Sequence, residues 1–176
     1  MNKSILLSFL MVIAIGCRKD PDVVQTYNDD LPTTLEAQLR GNWAPDYVHY
    51  SFDFEFDIGL GIPLPYTISG VNTSPRGELF ILQEDGYMEY ALNFPLTLDF
   101  GFGGGFPIPF SMRGNGDYEI ISGDRIRVRE NSGDRIFRVL SHGPFHLTLS
   151  TIQPTNIALI GQVDVDLIVN YTFEGK

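Results

Sequence analysis

Apolar side chains recur at every second position along most of the chain, which is the period of a β-strand with one buried face. The longest such stretch covers residues 50–68, where apolar even positions alternate with polar residues, glycine or proline. One strand of that length would span about 60 Å, too long for a small domain. A three-residue loop keeps the same face apolar on both arms, so we predict a turn at residues 59–61, Gly-Leu-Gly.

The same pattern returns 44 residues later, so the chain contains two related hairpins, at residues 50–70 and 94–114. By alignment, the second turn is predicted at residues 103–105, three consecutive glycines. Each return arm carries Pro-x-Pro: Pro63 and Pro65 in the first hairpin, Pro107 and Pro109 in the second. Residues i and i+2 direct their N–H groups to the same edge of a strand, and proline has none. We therefore expect each return arm to pair on one side only.

The remaining alternating segments are shorter and are separated by Gly, Asp, Asn and Ser. They predict an all-β fold, an antiparallel meander of about 8–10 strands closing into a barrel, with a β-sandwich as the alternative. One helix is expected at residues 33–40, because Thr33 and Glu36 have capping-box spacing and Gly41 suits its end. This short helix would plug one end of the barrel.

The N-terminus has the features of an export signal. Lys3 precedes an apolar run at residues 5–15, and Gly16 and Cys17 follow. The run is shorter than the roughly 20 residues of a membrane span. Residues 14–17 resemble the lipobox of bacterial lipoproteins, which implies cleavage before Cys17 and lipidation of that residue. An incidental cysteine after a secretory signal or in an anchoring helix is the alternative, although Cys17 is the only cysteine.

This interpretation divides the chain into a signal peptide at residues 1–16, a flexible polar tether at 17–31 and one β-barrel domain at 32–176. The lipid of Cys17 would anchor the protein to a membrane of the cell envelope. Arg18 stands where an aspartate would favour the inner membrane in enterobacterial lipoproteins, so we expect the outer membrane. The leaflet stays open.

The segment Leu39-Arg40-Gly41-Asn42-Trp43, after the expected helix, resembles the Gly-x-Trp element of lipocalins. The chain is most similar to lipocalin-like lipoproteins of Bacteroidetes. That resemblance implies an eight-stranded barrel whose bottom is closed by Trp43. Many lipocalins cover this tryptophan with an arginine from the last strand, but no arginine follows Arg138 here. Trp43 as an ordinary core residue of another β fold is the alternative.

Composition and motifs narrow the function classes. The net charge of −10 argues against nucleic acid as a partner. The sequence contains no nucleophile elbow, no Walker loop and no metal-ligand spacing among its three histidines. We therefore expect no enzyme activity, no cofactor and no metal. The carboxylates at residues 53, 55 and 57 suggest either a solvated face or a calcium site. Five arginines between residues 125 and 138 suggest either cross-strand ion pairs or an anion site.

Bulky apolar residues cluster close to both predicted turns: Leu60, Ile62, Leu64, Phe102, Phe106, Ile108 and Phe110. They are either core residues or a contact surface, since contiguous exposed apolar patches mark contact sites. Our first interpretation is a non-enzymatic envelope lipoprotein that binds an apolar small ligand, with the hairpins at the mouth of the barrel. The alternative is a structural or assembly lipoprotein that contacts a protein partner through both hairpins.

Overall fold

The computed structural model describes residues 34–57, 59, 61, 63–82, 86–99, 104–158 and 160–175. The predicted signal peptide, Cys17 and the tether lie outside these residues. One helix, α1 (Leu35–Leu39), precedes nine strands. They are β1 (Gly41–Asp57), β2 (Pro63–Asn72), β3 (Arg76–Leu82), β4 (Tyr87–Leu98), β5 (Phe106–Ser122), β6 (Arg125–Glu130), β7 (Gly133–His142), β8 (His146–Ile157) and β9 (Gly161–Gly175).

The strands form an antiparallel meander that closes into a ring. Consecutive strands from β3 to β9 pair with one another, and β1 pairs with both β3 and β9. Eight strands complete the ring, while β2 pairs only with the second half of β1. The closed ring confirms the predicted all-β meander barrel and rules against the sandwich.

Inward side chains fill the described part of the barrel. The alternation along each strand sends apolar residues to one face, and these residues form a continuous buried core. The largest fully buried side chains include those of Trp43, Tyr90, Phe52 and Phe137. None of the described segments forms a helix with the length and hydropathy of a membrane span.

The helix begins one residue later than the capping-box spacing predicted. Thr34 is its N-cap, with an extended backbone, and its Oγ1 accepts a hydrogen bond of 3.3 Å from the Ala37 N–H. Two threonines are adjacent in the sequence, so spacing from Glu36 could not identify the cap. Gly41, with φ of 134°, follows the helix as predicted. A side chain at Gly41 would collide with the Phe173 ring.

The register of the first hairpin confirms its predicted turn. Phe54 faces Tyr66 and Asp57 faces Pro63, so the two arms are symmetric about residue 60. Gly59 and Gly61 have φ of 86° and 71°, the region that favours glycine.

The predicted turn of the second hairpin is wrong. Phe94 faces Phe110 and Leu98 faces Phe106, so the paired arms are symmetric about residue 102 and not about residue 104, the centre of the predicted turn. A shift in pairing by an even number of residues leaves every side chain on its own face, so alternation alone could not fix the register.

A tyrosine–glycine pair shows how the two hairpins correspond. Tyr50 is paired with Gly70, and Tyr90 is paired with Gly114. A Cβ atom on either glycine would collide with the hydroxyl end of its tyrosine. The outgoing arms therefore correspond at an offset of 40 residues and the return arms at 44, which corrects the single offset of 44 residues expected from the sequence. The second hairpin carries the four extra residues at its tip.

The prolines restrict pairing as predicted. Pro95 faces Pro109, and neither nitrogen can donate to the other strand, so both nitrogens point away from the pair. In β5, pairing with β6 starts only at Asp117, and within the described residues positions 106–116 pair with β4 alone. β2 likewise pairs with β1 alone, so each described return arm has a ladder partner on one side only.

Candidate functional site

The end of the barrel that carries α1 is closed around Trp43. The indole Nε1–H donates a hydrogen bond of 2.8 Å to the Leu39 carbonyl oxygen at the end of α1. Its ring packs edge-on against Phe173 of β9, with ring centroids 5.1 Å apart. Phe173 thus contacts Trp43 from the last strand. The backbone N–H of Phe173 donates a hydrogen bond to the Phe145 carbonyl oxygen. This bond joins the β7–β8 turn to the α1 end of the barrel.

The two hairpins extend past the ring at the opposite end and pack on each other. The Tyr50 hydroxyl accepts a hydrogen bond of 2.8 Å from the Thr97 N–H. The Phe94 ring lies 5.7 Å from that of Tyr50 and 4.9 Å from that of Phe110. The outgoing arms therefore continue the core beyond the ring, and their apolar side chains are buried: Phe52, Phe54, Leu96 and Leu98.

Exposure rises toward the tip along both return arms. In β2, the exposed fraction increases from 3% at Ile68 to 36% at Tyr66 and 48% at Leu64. In β5, it increases from 3% at Phe110 to 63% at Phe106. All five side chains have the parity of the inward face, so this face emerges from the core near the tips.

The predicted contact residues are thereby divided. Leu64 and Phe106 are exposed, Ile108 is half-buried against the core, and Phe110 is buried. Leu60, Ile62 and Phe102 lie outside the described residues. Leu64 and Phe106, with Tyr66, form what we call the hairpin surface.

Local carboxylates neutralise most of the arginine stripe. Glu119 of β5 binds both Arg127 and Arg129 of β6. The Arg138 Nε lies 2.8 Å from Asp124 Oδ2, and this hydrogen bond lowers the pKa of the Asp124 carboxyl. The carboxylates come from the neighbouring strand β5 and from the β5–β6 turn rather than from the acidic face of β1.

A more buried pair lies at the top of the short β6–β7 hairpin. Arg135 Nε is 3.2 Å from Glu130 Oε1, and the same oxygen accepts a hydrogen bond from the Tyr90 hydroxyl. The Arg135 guanidinium also lies over the Tyr90 ring, 5.5 Å from its centroid. Burial and the hydrogen bond to Glu130 both raise the pKa of Tyr90, which keeps its hydroxyl protonated as a donor.

A groove of about 780 Å³ opens on the outer face of β7, β8 and β9. Three isoleucines contribute to its lining: Ile136, Ile152 and Ile168. We did not predict this groove from the sequence. The sequence did contain a signal for the groove, because β7, β8 and β9 each carry an isoleucine at an outward-facing position. In β9, the inward-facing positions are Val163, Val165, Leu167 and Val169, so Ile168 faces outward.

A metal site would require several acidic, histidine or cysteine side chains in one place. Within the described residues, no group of three or more His, Cys, Asp or Glu side chains is placed to hold a metal ion. Asp53 on the acidic face of β1 accepts a hydrogen bond of 2.6 Å from the Thr67 hydroxyl.

No protein-family model matches the chain, and no curated protein matches it.

Proposed function

We propose that this chain is a non-enzymatic lipoprotein, anchored to the outer membrane through Cys17, whose barrel presents its hairpin surface to a protein partner. The observation that carries the proposal is the exposure gradient along both return arms. Apolar side chains that begin in the core end on the surface at the tips, and exposed apolar clusters of this kind mark contact sites.

The filled interior supports a protein partner over an apolar ligand held inside the barrel. The inward rings and aliphatic chains of the described strands are buried against one another. A pocket for a small apolar molecule requires a cavity of several hundred Å³, about 300 or more. The groove and pockets of the described residues are lined mainly by outward-facing side chains.

The charge of the chain disfavours a lipid surface as the partner of the hairpins. The net charge of −10 opposes contact between the hairpins and anionic lipid. Within the barrel, the hairpins lie at the end of the strands opposite α1 and Trp43.

Two experiments test the proposal separately. For the anchor, Cys17→Ser should move the protein from the membrane to the soluble fraction, and unchanged membrane association would contradict it. For the hairpin surface, a photo-crosslinking amino acid is placed at residue 64 or 106 in intact cells. Both positions should give the same discrete product. Val71, equally exposed at 49% on β2, is the matched control and should give none.

A ligand analysis distinguishes the two functions. Native mass spectrometry of the full chain, followed by lipid extraction, should show no stoichiometric apolar molecule. A molecule that co-purifies at one per chain would favour the apolar-ligand interpretation and contradict ours.

A further inference from the structure

The ring of strands is not paired along its whole height. The ladder between β7 and β8 includes Arg138 opposite Ser150 and continues from there toward the α1 end. Farther from α1 than Arg138 and Ser150, β7 pairs only with β6 and β8 pairs only with β9, within the described strands. One side-chain bond crosses the opening, from the Thr151 hydroxyl to the Ile136 carbonyl at 2.9 Å. We call this opening the seam.

The groove described above follows the seam. Ile136, Ile152 and Ile168 are exposed by 41%, 56% and 38%, one on each of three neighbouring strands. Thr151 and Leu167, which face the barrel interior, also line the groove. The groove therefore combines an exposed apolar strip of three isoleucines with polar side chains, and it reaches two residues of the inner face.

The charges of the groove favour a cationic occupant. Four carboxylates and two arginines line it. Both arginines are already bound, Arg135 to Glu130 and Arg138 to Asp124. Asp164 and Asp166 of β9 have no ion pair among the described residues. Two carboxylates next to this apolar strip complement a lysine or arginine, whose alkyl stem packs on apolar surface while its charge stays at the rim.

The backbone at the seam favours an extended occupant. Pro154 faces Asp164 in the β8–β9 ladder and has no N–H, so its nitrogen points toward β7. The β8 edge therefore lacks one backbone N–H donor at Pro154, whereas residues 133–137 of β7 contain no proline. A strand edge without a ladder partner is the surface to which an extended peptide adds.

We propose that the seam binds an extended basic segment of a partner protein, paired with the edge of β7. Its alternate side chains pack toward Thr151 and Leu167, and its lysine or arginine side chains lie over the isoleucines and reach Asp164 and Asp166. This site is separate from the hairpin surface, and it does not depend on the proposed function.

The test uses the full chain in detergent and a fluorescein-labelled, capped octapeptide of alternating lysine and valine. Fluorescence anisotropy measures affinity, and hydrogen exchange locates protected amides. We expect binding, with protection in residues 133–137. A glutamate–valine peptide, and a version N-methylated at alternate residues, should bind at least about tenfold more weakly, which corresponds to about 1.4 kcal/mol.

Variants assign the binding to the groove. Ile152→Lys places a like charge on the apolar strip and should weaken binding about tenfold, whereas Ile121→Lys, at another exposed isoleucine, should leave it within about twofold. Asp164→Asn with Asp166→Asn should also weaken binding, and Glu89→Gln with Asp117→Asn should not. This second pair of variants changes only exposed side chains.

Several outcomes would overturn the proposal. These are no binding of the lysine peptide, equal binding of the glutamate peptide, or equal effects of the two lysine variants. Protection confined to residues 63–72 or 106–115 would assign the peptide to the hairpins instead. Protection of the seam in concentrated, peptide-free protein would make a second copy of the chain the occupant.

Discussion

The two ends of the barrel are closed in different ways. At the α1 end, a helix and one large side chain cover the core, and Trp43 is bound to both α1 and β9. At the hairpin end, no helix covers the core in the described residues, and two hairpins lean on each other instead. Apolar side chains are enclosed at the first end, while at the second they emerge onto the surface along β2 and β5.

The difference indicates where stability and recognition are located. A closed end with a large buried ring contributes mainly to the free energy of unfolding. An end whose apolar face becomes exposed contributes less to stability and retains surface for a contact. Substitutions at the two ends should therefore separate stability from binding.

The largest effect should come from Trp43→Ala. Removing the indole leaves a cavity beneath α1 and the Leu39 carbonyl without its donor, so the free energy of unfolding should fall by about 3–5 kcal/mol. Chemical denaturation of the purified chain measures this. Phe145→Ala is the control, because Phe145 lies at the same end but is 70% exposed, and it should cost less than about 1 kcal/mol. Equal losses would mean that Trp43 does not close this end.

Arg135→Met should have the next largest effect. It leaves the largely buried Glu130 carboxylate without its cation, so we expect a loss of about 2–3 kcal/mol in unfolding free energy. Arg138→Met removes an exposed, solvent-screened ion pair on the same strand and should destabilise the protein clearly less than Arg135→Met. A cost for Arg135→Met as small as for Arg138→Met would show that the buried pair does not stabilise the β6–β7 hairpin.

Gly70→Ala should have a moderate effect. The added methyl group collides with the hydroxyl end of Tyr50, so this ring must shift and its hydrogen bond from the Thr97 N–H is disturbed. We expect a destabilisation of about 1–3 kcal/mol in thermal or chemical unfolding. Gly123→Ala is the control, since a Cβ there meets no atom within 4 Å. Unchanged stability for Gly70→Ala would argue against the position of the Tyr50 hydroxyl, beside Gly70, as a stabilising link to the second hairpin.

The sequence predicted the strands well because alternation and turn residues are local signals. The first turn followed from Gly59 and Gly61, and the free edges followed from the Pro-x-Pro arms. The position of the second turn could not be predicted in this way. Alternation does not distinguish pairing registers that differ by an even number of residues, and residues 101–105 contain four glycines that could form a turn. The Tyr90–Gly114 pair decides that register, and it joins residues distant in the chain.

The candidate surfaces were predicted only in part. Tyr66 and Phe110 have the same place in the repeated pattern, 44 residues apart, yet Tyr66 is 36% exposed and Phe110 only 3%. Their difference depends on which side chains cover them in the assembled barrel, and local spacing does not encode this. The seam depends on where β6 and β7 end relative to β8 and β9, which is also a property of the assembled barrel.

The smallest effect on stability should come from the hairpin surface, where the effect on binding should be large. Leu64→Ser and Phe106→Ser replace exposed side chains, so each should change the unfolding free energy by no more than about 0.5 kcal/mol. If these residues contact a partner, the double variant should lose the crosslinked product while remaining folded, and Val71→Ser should retain it. A large loss of stability in the double variant would instead place Leu64 and Phe106 in the core, and the two ends would then differ only in how their apolar side chains are covered.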